Sequence, residues 1–109
     1  MKKGDKLYVV VRKDLKPGIQ LAQALHAALH FAADYNIMFQ KWMNVSDYIC
    51  VLHIDNEEEL QKLLNKAHGK GITCASFREP DLDDALTAIC LEPGNRSKSL
   101  CKNLKLAFG

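Results

Sequence analysis

Two histidines and a glutamine follow one another at helical spacing in Gln23-Ala-Leu-His26-Ala-Ala-Leu-His30, which lines polar, proton-bearing side chains along one side of a helix. An imidazole exchanges protons near neutral pH, so His26 reads either as a proton carrier or hydrogen-bond donor or as a histidine satisfied in the core. Gln23, one turn earlier, can hold a carbonyl through its amide or satisfy a neighbouring backbone group. His26 and His30 have the spacing of two metal ligands, but no glutamate follows His26 and no third ligand stands nearby, so neither metal nor cofactor is expected. Upstream, in Arg12-Lys-Asp14-Leu-Lys16-Pro-Gly18, Asp14 can orient Arg12 or a water, or cap the turn before the helix. Gly18 leaves backbone N–H groups free for a phosphate at the helix start, or is a plain turn residue.

The elements that must carry these residues are legible in outline. Leu7 to Val11 is a continuous β-branched and aromatic run, suited to a central strand covered on both faces. Pro17-Gly18 punctuates a turn, and Ile19 to about Tyr35 reads as a helix. Ala22, Leu25, Leu29 and Ala32 form its apolar stripe, expected to pack on the sheet, with Gln23, His26 and His30 facing elsewhere. Asn36 to Asp47 reads as a short helix or an ordered loop around Trp42. Tyr48 to Ile54 is a second strand, and Asp55-Asn56 before Glu57, Glu58 and Glu59 is a helix start favoured by the dipole, the helix running to about His68. Ile72 to Phe77 and Leu86 to Leu91 read as strands around an acidic turn, and Ser97 to about Leu104 as a last short helix. Strands alternating with helices predict a three-layer α/β/α sandwich with a four-stranded mixed, mostly parallel sheet. In such sheets ligands bind beyond the carboxyl ends of the strands, at Arg12 to Gly18 and Arg78 to Asp84.

A chain of 109 residues suits one domain with one core, here residues 1–109. At 48% hydrophobic and 26% charged, it has the composition of a soluble globular protein and not of a disordered or membrane one. The apolar run after the charged N-terminus is too short for a signal peptide or a membrane span, so a cytoplasmic protein is expected. Cys50, Cys74, Cys90 and Cys101 have no paired spacing and read as reduced, packed thiols. The net charge of +2 is small, but Lys2, Lys3, Lys6, Arg12, Lys13 and Lys16 crowd the start, and Arg96, Lys98, Lys102 and Lys105 crowd the end with no acid among them. If the fold brings the two ends together, they make a basic face for phosphates; otherwise they are solvated surface charges.

Arg12-x-Asp14-Leu, the glycine-containing loop, Ala22-Gln23 and His26-Ala-Ala on the helix, and the closing Leu104-Lys-Leu106 together resemble the type 2 peptidyl-tRNA hydrolases. The likeness spans almost the whole chain and is nearest to the shorter, divergent branch with Arg-Glu-Pro-Asp-Leu before the last strand, here Arg78 to Leu82. It implies metal-independent hydrolysis of the ester joining a peptide to tRNA, a function in translation, and a tRNA partner. Asp14, Gln23, His26, Glu79 and Thr87 become the implied catalytic set; Arg12, Lys13, Lys16, Gly18, Arg96, Lys98 and Lys102 become tRNA contacts. Members of the family often form homodimers, and Trp42 would suit such an interface if exposed. The chain also departs from the main branch, which ends its first loop in a catalytic lysine; here that loop is shorter and Ile19 or Gln20 stands in its place. Glu79 replaces a family aspartate, and Thr87 aligns with a family threonine. Lys13 and Lys16 are candidates for the vacant position. Two functions therefore stay open, an esterase on peptidyl-tRNA and a non-catalytic tRNA- or RNA-binding domain built on the hydrolase fold.

Overall fold

The structure, a computed structural model, describes residues 1–109. Strand β1 (Lys6–Arg12) lies at the centre of a sheet in the order β3-β4-β1-β2-β5, with β2 at Tyr48–Ile54, β3 at Cys74–Glu79, β4 at Ala85–Leu91 and β5 at Lys105–Leu106. The side chains of β1 alternate between two cores, as the strand pleat requires. Tyr8 and Val10 join the core built with Leu60, Leu63 and Leu64; Leu7, Val9 and Val11 join the one built with Ala27, Phe31 and Trp42. Helices α1 (Pro17–Asp34) and α2 (Asn36–Val45) therefore cover one face, and α3 (Glu57–Gly69) and α4 (Asn95–Leu100) the other. This is the expected three-layer arrangement.

The sheet corrects the expectation in two ways, having five strands where four were expected and being mostly antiparallel. Only β1 and β2 run parallel, whereas β1–β4, β3–β4 and β2–β5 are antiparallel. The physical reason is connection length. Residues 80–84 join β3 to β4, too few for the crossover a parallel pair needs. Their short 3₁₀ turn (Pro80–Leu82) is followed by Asp83 and Asp84, both left-handed at φ 53° and 58°, a conformation that aspartate tolerates better than most residues. The Asp84 N–H returns to the Glu79 carbonyl at 3.0 Å, closing the turn that fixes where Glu79 emerges.

Helix α1 begins at Pro17, two residues earlier than expected, since proline is favoured in a first turn that needs no N–H. Its orientation is also corrected. The buried residues are Gln20, Gln23, Ala27 and Phe31, while Leu25 and Leu29 are 64% and 65% exposed. Small Ala24, Ala27 and Ala28 let the helix lie close to the sheet, and the two glutamines are carried inward because polar partners wait for them there. The segment around Trp42 is a regular helix, α2. Trp42 is buried, its indole N–H shared between the Asp5 and Tyr48 carbonyls at 3.1 Å each, so it offers no exposed interface. Helix α3 starts as expected, its Asn56 side chain accepting the Glu59 N–H at 3.0 Å. All four cysteines are free, and burial pushes the Cys101 thiol up to about 12. No helix is long and apolar enough to cross a membrane.

Candidate active site

The inward face of α1 meets the start of β4 and the end of β3 in a chain of hydrogen bonds. Gln23 Nε2 donates to Glu79 Oε1 at 3.0 Å, and the Thr87 hydroxyl donates to Gln23 Oε1 at 2.6 Å. Thr87 also lies 3.3 Å from the Phe77 carbonyl, but its single proton serves the shorter contact. Thr87 is fully buried and Gln23 is 2% exposed, so both act from beneath. Glu79 is the end of the chain that reaches open space. Its other carboxylate oxygen accepts the Asp81 N–H at 3.4 Å. Above it, Gly18, Ile19, Ala22, Leu82 and Asp81 complete a cavity of about 270 Å³. The first backbone bond of α1 is Gln20 N–H to the Lys16 carbonyl at 2.9 Å, which leaves the Gly18 and Ile19 amides at the cavity without helical partners.

Of the five expected catalytic residues, this geometry joins Gln23, Glu79 and Thr87. His26 is exposed beside them, its ring stacked on Phe77 at 4.3 Å with a 10° tilt, and His30 packs against the same ring at 5.4 Å. The histidine pair is thus spread over an aromatic surface, and no group of three or more His, Cys, Asp and Glu side chains is placed to hold a metal. Asp14 is not part of the hydrogen-bond chain. Both its oxygens accept from Arg12, at 2.9 Å each, and Arg12 also donates to the Leu86 carbonyl at 3.1 Å. The hydrogen bonds from Arg12 hold the Asp14 carboxyl below the ordinary range against the opposing effect of burial. Helix α1 has no side-chain cap, so Asp14 serves Arg12 and not the helix start.

Two polar residues that hold the loop before the site, Gln20 and His53, had no role assigned from sequence. Gln20 Nε2 donates to the Lys13 and Leu15 carbonyls at 3.2 and 2.6 Å, while its Oε1 lies 2.6 Å from His53 Nε2. Because the amide nitrogen is committed to carbonyls, His53 is the donor in that contact, with its proton on Nε2. The pair ties the β1–α1 loop to β2. Burial, and secondarily the charge of Lys13, lower the His53 pKa, and Phe108 meets the ring edge-on at 4.7 Å. The signal available in sequence was the 20, 23, 27, 31 spacing, overshadowed by the stronger leucine stripe.

The expected tRNA contacts separate into two groups. Arg12, Lys13, Lys16 and Gly18 stand at the end of β1 near Glu79, whereas Arg96, Lys98 and Lys102 follow β4, whose last residue Leu91 pairs with Tyr8 near the start of β1. The two ends of the chain do not make one basic face around the cavity. Lys13 pairs with Asp55 at 3.0 Å, and neither it nor Lys16 lines the cavity. Arg96 donates to the Lys70 and Gly71 carbonyls at the end of α3 and pairs with Glu92 at 3.1 Å, a structural clip.

The fold is similar to that of a protein of unknown function from Agrobacterium tumefaciens, at TM-score 0.70 and 15% identity over 95% of this chain and 98% of the other. No curated protein matches the chain. The family model described as Peptidyl-tRNA hydrolase PTH2 matches residues 5–107, a span that contains β1, the Gln23–Glu79–Thr87 chain and β5, and on that match the chain belongs to the peptidyl-tRNA hydrolase PTH2 family.

Proposed function

We propose that the protein hydrolyses the ester between a peptide, or a blocked amino acid, and tRNA, with Glu79 as the group that orients and deprotonates the attacking water. The supporting observation is the chain Thr87–Gln23–Glu79 ending in the cavity at the start of α1. In this reading the water oxygen bonds to the ester carbonyl carbon as Glu79 takes its proton. The Gly18 and Ile19 amides receive the developing oxyanion. The bond to the ribose oxygen then breaks, and that oxygen leaves with a proton, for which exposed His26 is the nearby carrier. Thr87 touches no substrate and Gln23 meets the cavity only at its floor; together they position Glu79. Arg12, with Asp14 as its anchor, serves the flanking phosphates alongside Lys16. No metal takes part, and the reaction is placed in the cytoplasm.

A non-catalytic tRNA-binding domain is the second reading, favoured by one observation: no lysine lines the cavity. Incubation of chelator-treated protein, wild type and Glu79→Gln, with an N-blocked aminoacyl-tRNA separates the two. Release by the wild type and its loss in the variant support the hydrolase. Salt-sensitive tRNA binding without release makes this a binding protein. A homodimer, which the family resemblance implies, would form on a surface other than Trp42; sedimentation velocity counts the copies.

A further inference from the structure

Phe108 stands where an aromatic residue is unfavourable, and its surroundings keep it there. Its backbone is left-handed, at φ 58°, a conformation that bulky residues avoid and that persists only where neighbouring structure enforces it. Hydrogen bonds do so on both sides of the residue. The Ala107 N–H donates to the Val51 carbonyl at 2.9 Å, and the Gly109 N–H returns to the Leu106 carbonyl at 3.2 Å. The ring is 59% exposed, so burial in the core does not account for it. What it meets is His53, edge-on at 4.7 Å.

His53 begins a chain of contacts that ends at the candidate site. Its Nε2 lies 2.6 Å from Gln20 Oε1, and the Gln20 amide nitrogen holds the Lys13 and Leu15 carbonyls. The Gln20 backbone N–H meets the Lys16 carbonyl at 2.9 Å, which closes the turn containing Gly18 and Ile19. Gln20 therefore sets how these two amides face the cavity beside Glu79. His53 and Phe108 both wall a second cavity, of about 520 Å³, with Lys13, Asp55 and Lys105. The imidazole thus has open space into which it can turn, and the Phe108 ring limits that rotation. Neither ring reaches the Glu79 cavity, since β2 and β3 are three spacings apart in the sheet, about 14 Å at roughly 4.8 Å each. Phe108 follows β5, one strand farther still.

We infer that Phe108 is a positioning residue for ester cleavage, holding His53 against Gln20 so that the Gly18 and Ile19 amides face the developing oxyanion. The inference rests on the proposed hydrolase, so one arm of its test reads the loop and not the reaction. Phe108→Gly removes the ring and suits the left-handed backbone, whereas Phe108→Tyr keeps the ring. In the glycine variant, nitrogen NMR relaxation is expected to show order parameters at Gly18 and Ile19 falling from about 0.85 toward about 0.6, with those of α3 unchanged and the tyrosine variant like wild type. On an N-blocked aminoacyl-tRNA, kcat of the glycine variant is expected to fall about tenfold with KM within about twofold, less than the loss on removing an oxyanion donor outright. Tyrosine at the position is expected to restore kcat. In a His53→Ala background, Phe108→Gly is expected to change kcat by less than about twofold, because the link is already cut. Unchanged order parameters at Gly18 and Ile19, or losses that multiply across the His53 and Phe108 variants, would overturn the inference. So would a rise in KM alone, which would mean that the ring meets the tRNA. Loosened Gly18 and Ile19 amides in a protein that releases no amino acid would leave the Phe108–His53–Gln20 link standing and remove the hydrolase.

Discussion

Gln23 bridges two residues that sequence places 8 positions apart, donating to Glu79 at 3.0 Å and accepting from Thr87 at 2.6 Å. Its amide is buried beside fully buried Thr87, so the hydroxyl finds no water if the amide is removed. Gln23→Leu, close in size, is expected to leave the Thr87 hydroxyl only its longer contact with the Phe77 carbonyl and to release the Glu79 carboxylate, at a stability cost of about 1 kcal/mol. If Glu79 handles the water, kcat should fall while KM for the tRNA ester stays within a few-fold, because the phosphate contacts are elsewhere. A stable Gln23→Leu protein with wild-type kcat would show that the bridge does not position Glu79.

Arg12 grips both oxygens of Asp14, and its hydrogen bonds lower the Asp14 pKa in the folded chain. A carboxyl depressed on folding stabilises the protein above its unfolded pKa of about 3.9, and that contribution is lost as pH falls through the folded value. The Asp14 side chain is 40% exposed, so solvent screening keeps the pair to about 1 kcal/mol or less. Asp14→Asn should therefore be slightly less stable than wild type at pH 7, with the gap closing below pH 4. Urea midpoints of the two proteins across that range measure it.

His53 has its pKa lowered by burial first and the Lys13 charge second. As pH falls from about 6.5, the unfolded chain takes up the proton before the folded one does, so stability is complete above that value and declines through the folded pKa. His53→Gln keeps an N–H for Gln20 Oε1 and should remove that slope between pH 7.5 and 5.5. Nitrogen NMR at pH 7.5 is expected to find the proton on Nε2, the tautomer that the 2.6 Å contact with Gln20 demands. A proton on Nδ1 would break the link from His53 to the β1–α1 loop.

What sequence shows of this fold follows from how local the cause is. The two-faced burial of β1 is written in Leu7 to Val11, and the start of α3 in Asn56 and the three glutamates, because each depends on neighbours in the chain. Strand β5 is two residues long and carries no periodicity. The antiparallel pairing of β3 and β4 was implied by the short acidic turn, but the alternation of strands and helices pointed the other way. In the site, the resemblance selected Gln23, Glu79 and Thr87 together, whereas the contact between Gln20 and His53 joins residues 33 apart and has no local signature. The resemblance selected Asp14 and Arg96 as well, and only their partners show that they stand outside the Gln23–Glu79–Thr87 chain.

The rotation of α1 is where pattern and structure part most clearly, and it can be measured. A helix with Leu25 and Leu29 inward, as hydrophobicity alone predicts, would lose about 2–5 kcal/mol on Leu25→Ala through the cavity left behind. With Leu25 64% exposed, the same change should stay within about 0.5 kcal/mol, since alanine and leucine are both strong helix formers. Ala27 is 0% exposed between α1 and the sheet, and Ala27→Leu should cost about 1–3 kcal/mol by forcing the helix away from β1 and β4. That displacement would also lift Gln23 from Thr87 and Glu79, so the overpacked protein should lose ester cleavage along with stability. Chemical denaturation of the two variants reads the orientation directly: a large loss at Leu25 with none at Ala27 would turn the helix over and take the buried glutamine bridge with it.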